Sequence, residues 1–173
     1  MKHDINISCA WIPREENRVA DYYSKIIDTD NWSIDDISFN IITHQLGQCS
    51  IDRFADSDNT RAPIFNSKYH CVGSQAVNAF TQDWSRENLN WLSPPIKLII
   101  PAIRHLKRCS GRAILIVPHW PSSYFFPFIH NGETFYSLVK KHIYIKASFK
   151  PNSQSNIFNP SIYMPMIALL IEF

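Results

Sequence analysis

Glycine is scarce in this chain: four residues in 173. A body with so few flexible hinges reads as packed and fairly rigid. Long apolar runs are also missing. No window approaches the ~20 consecutive apolar residues of a membrane span, so no membrane partner is expected. The start, Met1-Lys2-His3-Asp4, lacks the apolar stretch of a secretory signal. An excess of one charge is nearly absent, with 17 Lys and Arg against 15 Asp and Glu and a formal charge of +2. That balance is too small to argue for nucleic acid by itself. Cysteines number four, Cys9, Cys49, Cys71 and Cys109, with no short paired spacing. The pattern excludes a zinc signature and a dense disulfide framework. His70 and Cys71 adjoin, but neighbours on a strand point to opposite faces. The expectation is an intracellular, reducing compartment, cytoplasm or nucleus.

What is present describes a globular protein: 45% hydrophobic residues, 18% charged and 13% aromatic, enough for one domain with a sizeable core and a short appendage. Eleven prolines imply many turns and extended corners. Ile5 to Trp11 alternates as a strand does, and Glu15 to Ile27 has Val19, Tyr22, Tyr23 and Ile26 at helical spacing. Asp28 to Asp36, polar around Trp32, reads as a linker. Ile34 to Leu46 then reads as a helix with Ile34, Ile37, Ile41 and Ile42 along one side, closed by Gly47. Cys49 to Ala55 reads as a strand, Asn59 to Lys68 as an irregular loop and Ala76 to Phe80 as a second short strand. Pro95 to Arg108 reads as a helix that Pro101 kinks or begins. Ala113 to Val117 is uninterruptedly apolar, as a strand buried on both faces is. Pro121 to Phe128 suggests the start of a helix, Lys150 to Pro160 a polar loop, and His142 to Ser148 and Ile162 to Phe173 strands. The alternation is that of an open α/β sheet with crossover connections.

The most specific stretch is Asn90-Trp91-Leu92-Ser93-Pro94-Pro95-Ile96. Two successive prolines fix φ and donate no hydrogen bond, which makes a rigid extended corner. Upstream stand Ser50-Ile51-Asp52-Arg53-Phe54-Ala55 with Asn59, then Phe65-Asn66-Ser67-Lys68 and Gly73-Ser74-Gln75-Ala76-Val77-Asn78-Ala79-Phe80 with Asp83-Trp84. Downstream come Ile114-Leu115-Ile116-Val117-Pro118-His119-Trp120-Pro121 and Ile167-Ala168-Leu169-Leu170. In order and spacing, residues 33–173 resemble the domain that follows ribonuclease H in DIRS-type retrotransposons. That domain is itself similar to phage-type, Dam-class DNA N6-adenine methyltransferases. Before it, Ala10-Trp11-Ile12-Pro13 leading into Asn17-Arg18-Val19-Ala20-Asp21-Tyr22-Tyr23-Ser24-Lys25 resembles the end of a retroelement ribonuclease H. Residues 1–30 are thus expected as a remnant of that domain.

The resemblance implies a Rossmann-like methyltransferase sheet, mostly parallel, with S-adenosylmethionine as cofactor and DNA or RNA as partner. It implies that Ser93, Pro94, Pro95 and Ile96 form the catalytic corner, which accepts hydrogen bonds from the exocyclic amine of a flipped adenine. It also implies that Asp52, Phe54 and Ala55 form the first donor-binding strand end, and Asn78 the second. Asp21 matches the last of four ribonuclease H carboxylates that hold two divalent metals. The other three are absent, so Mg belongs only to the intact ancestor. This copy departs from the methyltransferase pattern in its chemistry. Ser93 replaces an amide or carboxylate, Ile96 a stacking aromatic residue and Asn78 an aspartate, and no Gly-rich loop follows Asp52. A degenerate methyltransferase is the expectation, with a non-catalytic nucleic-acid-binding or structural α/β module as the alternative. In that alternative Arg104, Lys107 and Arg108 meet phosphates; the plainer reading of the three is a solvated helix end.

Overall fold

The computed structural model describes residues 31–150 and 163–173, together with Ala10, Trp11, Pro13, Glu15, Glu16, Ile157 and Phe158. The elements are α1 (Asp36–Leu46), β1 (Ile51–Asp52), β2 (Ile64–Ser67), β3 (Ala76–Val77), β4 (Asn90–Leu92), α2 (Ile99–Arg108), β5 (Arg112–Pro118), β6 (Val139–Ala147) and β7 (Met164–Glu172). Short 3-10 turns lie at Ala79–Thr81, Trp84–Arg86, Ile96–Leu98 and Phe126–Phe128. The strands form one sheet of seven in the order β3-β2-β1-β4-β5-β7-β6. Strands β1 to β5 run parallel to one another. β7 runs antiparallel to β5 on one side and β6 on the other.

The core follows from the pleat. Along β5, Ala113, Leu115 and Val117 face one side and Ile114 and Ile116 the other, and all five are sealed from solvent. On the first side they meet Ile99, Ala102, Ile103 and Leu106 of α2, with Ile167, Leu169 and Ile171 of β7 and Leu92 of β4. On the second they meet Ile42 and Leu46 of α1, with Met166, Ala168 and Leu170 of β7 and Trp91 of β4. A strand covered on both faces must be apolar throughout, which is why β5 reads as an unbroken run. β6 closes one end of the sheet with exposed Lys140, Lys141, His142, Tyr144 and Lys146, and its register shifts between Val139 and Lys141.

Local chemistry sets the ends of the helices. Asp35 caps α1 by accepting from the Ser38 N–H at 2.9 Å, and its second oxygen takes the Ser148 N–H at 3.1 Å and hydroxyl at 3.0 Å. Burial opposes ionisation of Asp35, but the bonds from Ser38 and Ser148 hold its carboxyl below the ordinary value. Gly47 ends α1 at φ 110, a region that favours glycine. Pro101 sits in the first turn of α2, where its missing N–H has no intrahelical partner to lose.

Several expectations need correction. On α1, Ile37 is 75% exposed and Ile41 44%; the inward face is Ser38, Ile42, Thr43 and Leu46. Ser38 and Thr43 bury because their hydroxyls bond nearby, to Asp35 at 2.7 Å and to the Phe39 carbonyl at 3.0 Å. The stretch around Trp32 is core and not linker: Trp32 is buried against Phe149 and Phe158, with ring centroids 5.9 and 4.4 Å away. The loop expected over Asn59 to Lys68 contains β2, and the strand expected over Cys49 to Ala55 is two residues long. Asp52 shortens it by accepting the Phe54 N–H at 3.1 Å, which turns the chain. The strand expected over Ala76 to Phe80 gives way after Val77 to a 3-10 turn capped by Asn78. Pro121 to Phe128 holds turns and a single 3-10 turn in place of a helix. The N-terminal strand and helix, with Asp21, fall outside the described residues apart from isolated positions.

Candidate functional site

Strand order reverses between β1 and β4: β2 and β3 are laid on one side of β1, and the chain then crosses to place β4 and β5 on the other. In open α/β sheets the carboxyl ends of the strands at such a reversal leave a crevice that no connection fills. A cavity of about 490 Å³ lies there. It is lined by the segment after β1 (Arg53, Phe54, Ala55, Asp56), the segment after β2 (from Ser67 and Lys68 to Cys71), Asn78 to Phe80 after β3, and Pro95 and Leu98 after β4, with Asn31. Phe54 and Phe80 meet edge to face at 5.6 Å, and Phe80 stacks on the buried Trp84 at 5.9 Å. The wall is therefore apolar and aromatic on one side, with polar groups facing it.

In place of a Gly-rich loop, the β1–β2 connection is tied by side chains. Asp56 accepts the N–H groups of Asp58 at 2.9 Å and Asn59 at 3.0 Å, while Asn59 accepts the Asp56 N–H at 2.8 Å. Asn31 donates to Asp56 at 2.6 Å and accepts from Asn59 Nδ2. Asp52 stands behind this loop, away from the cavity lining. Its two oxygens take the N–H groups of Phe54 and Arg61, each at 3.1 Å. Burial pushes its carboxyl up to about 7, against the pull of those two N–H groups and of the Arg61 charge. Burial, helped by the negative Asp52, also pushes the nearby Cys49 thiol well above the ordinary range.

Arg53 is the least expected resident. It is 3% exposed, and its Nε donates to Asn90 Oδ1 at 2.8 Å and its Nη1 to Asn66 Oδ1 at 2.7 Å. The guanidinium carbon lies 5.8 Å from the Trp84 ring centre. Asn90 is held in turn, its Nδ2 donating to the carbonyls of Trp84 at 3.0 Å and Arg112 at 2.8 Å. Asn66 gives its oxygen to Arg53 and leaves its own Nδ2 sealed without a partner, a cost of about 1–3 kcal/mol. Burial lowers the Arg53 pKa, opposed by the fields of Glu87, Cys109 and Asp83.

Of the residues the sequence put forward, Phe54, Ala55, Asn78 and Pro95 come together on the cavity. Asn78 sits at φ 61, rare for a non-glycine residue, and its Oδ1 takes the Phe80 N–H at 3.2 Å. Ser93 and Pro94 are buried at the end of β4 and do not line the cavity. Ile96 packs into the hydrophobic clusters on both faces of the sheet, and its carbonyl accepts the exposed Tyr124 hydroxyl at 2.8 Å. Arg104, Lys107 and Arg108 are not part of this site. α2 leaves the carboxyl end of β4 and returns to the start of β5, so its last turn lies at the amino ends of the strands, away from the cavity. Arg104 rests over Phe128, 5.5 Å from its ring centre, and Arg108 bonds His105 Nδ1. The His105 Nε2–H donates to the Gln82 carbonyl at 2.9 Å, and burial, then the Arg108 charge, lowers its pKa. Sequence reasoning missed Arg53, Ser67 and Phe80 as cavity residues. A usable signal was present for Arg53, a cation directly following a buried strand.

Among the described residues no group of three or more His, Cys, Asp or Glu is placed to hold a metal ion, and no helix is long and apolar enough to cross a membrane. A scan against protein-family models finds no match for this sequence, and no curated protein matches it.

Proposed function

We propose that this chain carries the Dam-like, Rossmann-type methyltransferase domain of a DIRS-type retrotransposon polyprotein. In this reading residues 1–30 correspond to the end of a ribonuclease H domain, residues 33–173 bind S-adenosylmethionine, and the transfer chemistry is thinned out. The observation that carries it is the cavity of about 490 Å³ at the reversal of strand order. That is where open α/β sheets bind nucleotide-like cofactors, and the size falls within the ~300–1,000 Å³ of small-molecule sites. Phe54 and Phe80 offer an aromatic wall for a flat base, while Asn78, Ser67 and Asp56 offer polar groups for a ribose and an amino acid.

The corner explains the thinning. Pro94 and Pro95 hold its shape, and Pro95 reaches the cavity. Yet Ser93 offers a rotating hydroxyl where a fixed carbonyl oxygen would polarise an adenine amine. Ile96 is half-buried against the hydrophobic clusters and offers no ring to stack on the base, at a loss of about 1–3 kcal/mol. DNA or RNA is the partner this reading implies. A nucleic-acid-binding module working through Arg104, Lys107 and Arg108 has less support, since two of those cations are already engaged.

Titration calorimetry with S-adenosylmethionine tests the reading. Heat that saturates, with a folded protein by circular dichroism, is expected, together with slow or absent methylation of adenine in DNA. No heat at millimolar ligand from a folded protein would sink donor binding.

A further inference from the structure

We propose that Arg53 is a preformed anchor for the α-carboxylate of the ligand that fills this cavity, which makes the ligand a zwitterionic amino-acid adduct. The assignment rests on the donor reading above and adds to it a residue and a recognised group. Arg53 is nearly sealed, yet it lines the cavity. Its protein partners, Asn90 Oδ1 and Asn66 Oδ1, are neutral and occupy Nε and one N–H of Nη1. Among the described residues Nη2 has no hydrogen-bond partner. It is also not among the sealed, unpartnered side-chain atoms of the described residues, which are Trp32 Nε1, Arg61 Nη2 and Asn66 Nδ2. Nη2 is thus the edge of the guanidinium that the two asparagines leave over, on a residue that lines the cavity.

A buried cation held only by neutral acceptors is incomplete, because buried charges are stable when paired. The carboxylates whose fields reach Arg53 are otherwise engaged: Glu87 accepts from Ser50 at 2.8 Å, and Asp83 accepts from Ser85 and Arg86. The planar fork of arginine matches a carboxylate through two parallel bonds. A phosphate offers the same oxygens, and Lys68 on the lining would also suit it, but Asp56 adds a carboxylate to the same cavity that a phosphate leaves without a partner. For an amino acid Asp56, though it also ties the loop, adds negative charge to the lining that suits the ammonium while Arg53 takes the carboxylate. S-adenosylmethionine and S-adenosylhomocysteine carry both groups. Two features also show the guanidinium to be placed in advance of any ligand. Asn90 is fixed by two carbonyls, and Asn66 forgoes a partner for its own nitrogen.

The test compares four probes on the wild-type chain by calorimetry: S-adenosylhomocysteine, its carboxamide, 5′-methylthioadenosine, which lacks the amino-acid part, and adenosine monophosphate. S-adenosylhomocysteine is expected to bind at least about tenfold more tightly than the carboxamide or methylthioadenosine. Arg53→Met is expected to abolish that preference without changing methylthioadenosine affinity, and Arg53→Lys to restore part of it. Equal binding of the acid and its carboxamide overturns the anchor and leaves donor binding standing. Tighter binding of adenosine monophosphate than of S-adenosylhomocysteine overturns the carboxylate assignment in favour of a phosphate. If none of the four binds a folded chain, the donor reading fails and the anchor falls with it. Should Arg53→Met not fold, the wild-type comparison alone decides.

Discussion

The two halves of the sheet are built on different physics. β5, β7 and β6 are seven to nine residues long, and the inner two are joined by an unbroken antiparallel register. Both faces of β5 and β7 are filled with aliphatic side chains. β1 to β4 are two to four residues long, and here buried polar groups carry the architecture: Asp52, Arg53, Asn59, Asn66, Ser67, Asn90 and Ser93. Hydrophobic contact is non-directional and tolerates many shapes, so it makes a scaffold. Buried hydrogen bonds fix positions to tenths of an ångström, at the risk of large losses when one partner is missing. The cavity opens entirely in the polar half. Rigidity is supplied by one half, and the placing of chemical groups by the other.

The largest effect expected is in the scaffold. Leu115→Ala should cost about 2–5 kcal/mol in urea denaturation, while hydrogen exchange of the β1–β2 loop should follow the global loss and show no local opening. Local opening of that loop at low urea would break the comparison, since it would show that a loss confined to the aliphatic scaffold loosens the polar half by itself. Next comes the pH dependence of the polar half. The Asp52 carboxyl is raised from 3.8 to about 7 by burial, so between those values the folded chain holds a proton that the unfolded chain releases. Its contribution is therefore complete below about pH 4 and lost as the pH rises through about 7, at up to about 1.4 kcal/mol per pH unit. His105, with its lowered pKa, has the opposite sign and loses its contribution as the pH falls. Asp52→Asn should flatten the decline between pH 4 and 7 in thermal melts, and a decline that persists would place the titrating group elsewhere. A smaller effect sharpens the boundary between the halves. A Cβ on Gly111 would lie 2.9 Å from Leu106 Cδ1 and 3.0 Å from the Trp84 carbonyl oxygen. The first contact belongs to the scaffold and the second to the segment that holds Asn90. Gly111→Ala should cost about 1–3 kcal/mol by denaturation; an unchanged midpoint would mean that the two halves slide apart freely there.

What was legible in the sequence divides along the same line. β5 and β7 announce themselves because burial on both faces demands an apolar residue at each step. β2 does not, since Asn66 and Ser67 are buried through polar partners, and burial of that kind leaves no hydrophobic period to count. α1 misled for a related reason: Ser38 and Thr43 satisfy their hydroxyls locally and turn inward, which sends Ile37 and Ile41 out. Trp32 in an acidic stretch reads as a linker because its partners, Phe149 and Phe158, lie at the far end of the chain. Phe54, Ala55, Asn78 and Pro95, put forward by their order along the chain, line the cavity. Arg53 was passed over because a cation reads as surface until two asparagines from other strands are seen to hold it. Asp52 ends β1, but its carboxylate ties the loop that lines the cavity and does not line the cavity itself.

The outer strand β6 has a bearing on how this protein behaves at high concentration. Among the described residues no strand pairs with the outer side of β6, and an open edge nine residues long is a template on which another chain can add a strand and seed fibrils. Here Lys140, Lys141 and Lys146 stand exposed along it, and the register shift after Val139 breaks its regular spacing. A second copy laid against this edge would bring ammonium groups into line with ammonium groups. At the opposite end β3 offers only two residues to pair with. The sheet thus ends on one side in repulsion and on the other in brevity, so self-association should set in only when salt screens the lysines.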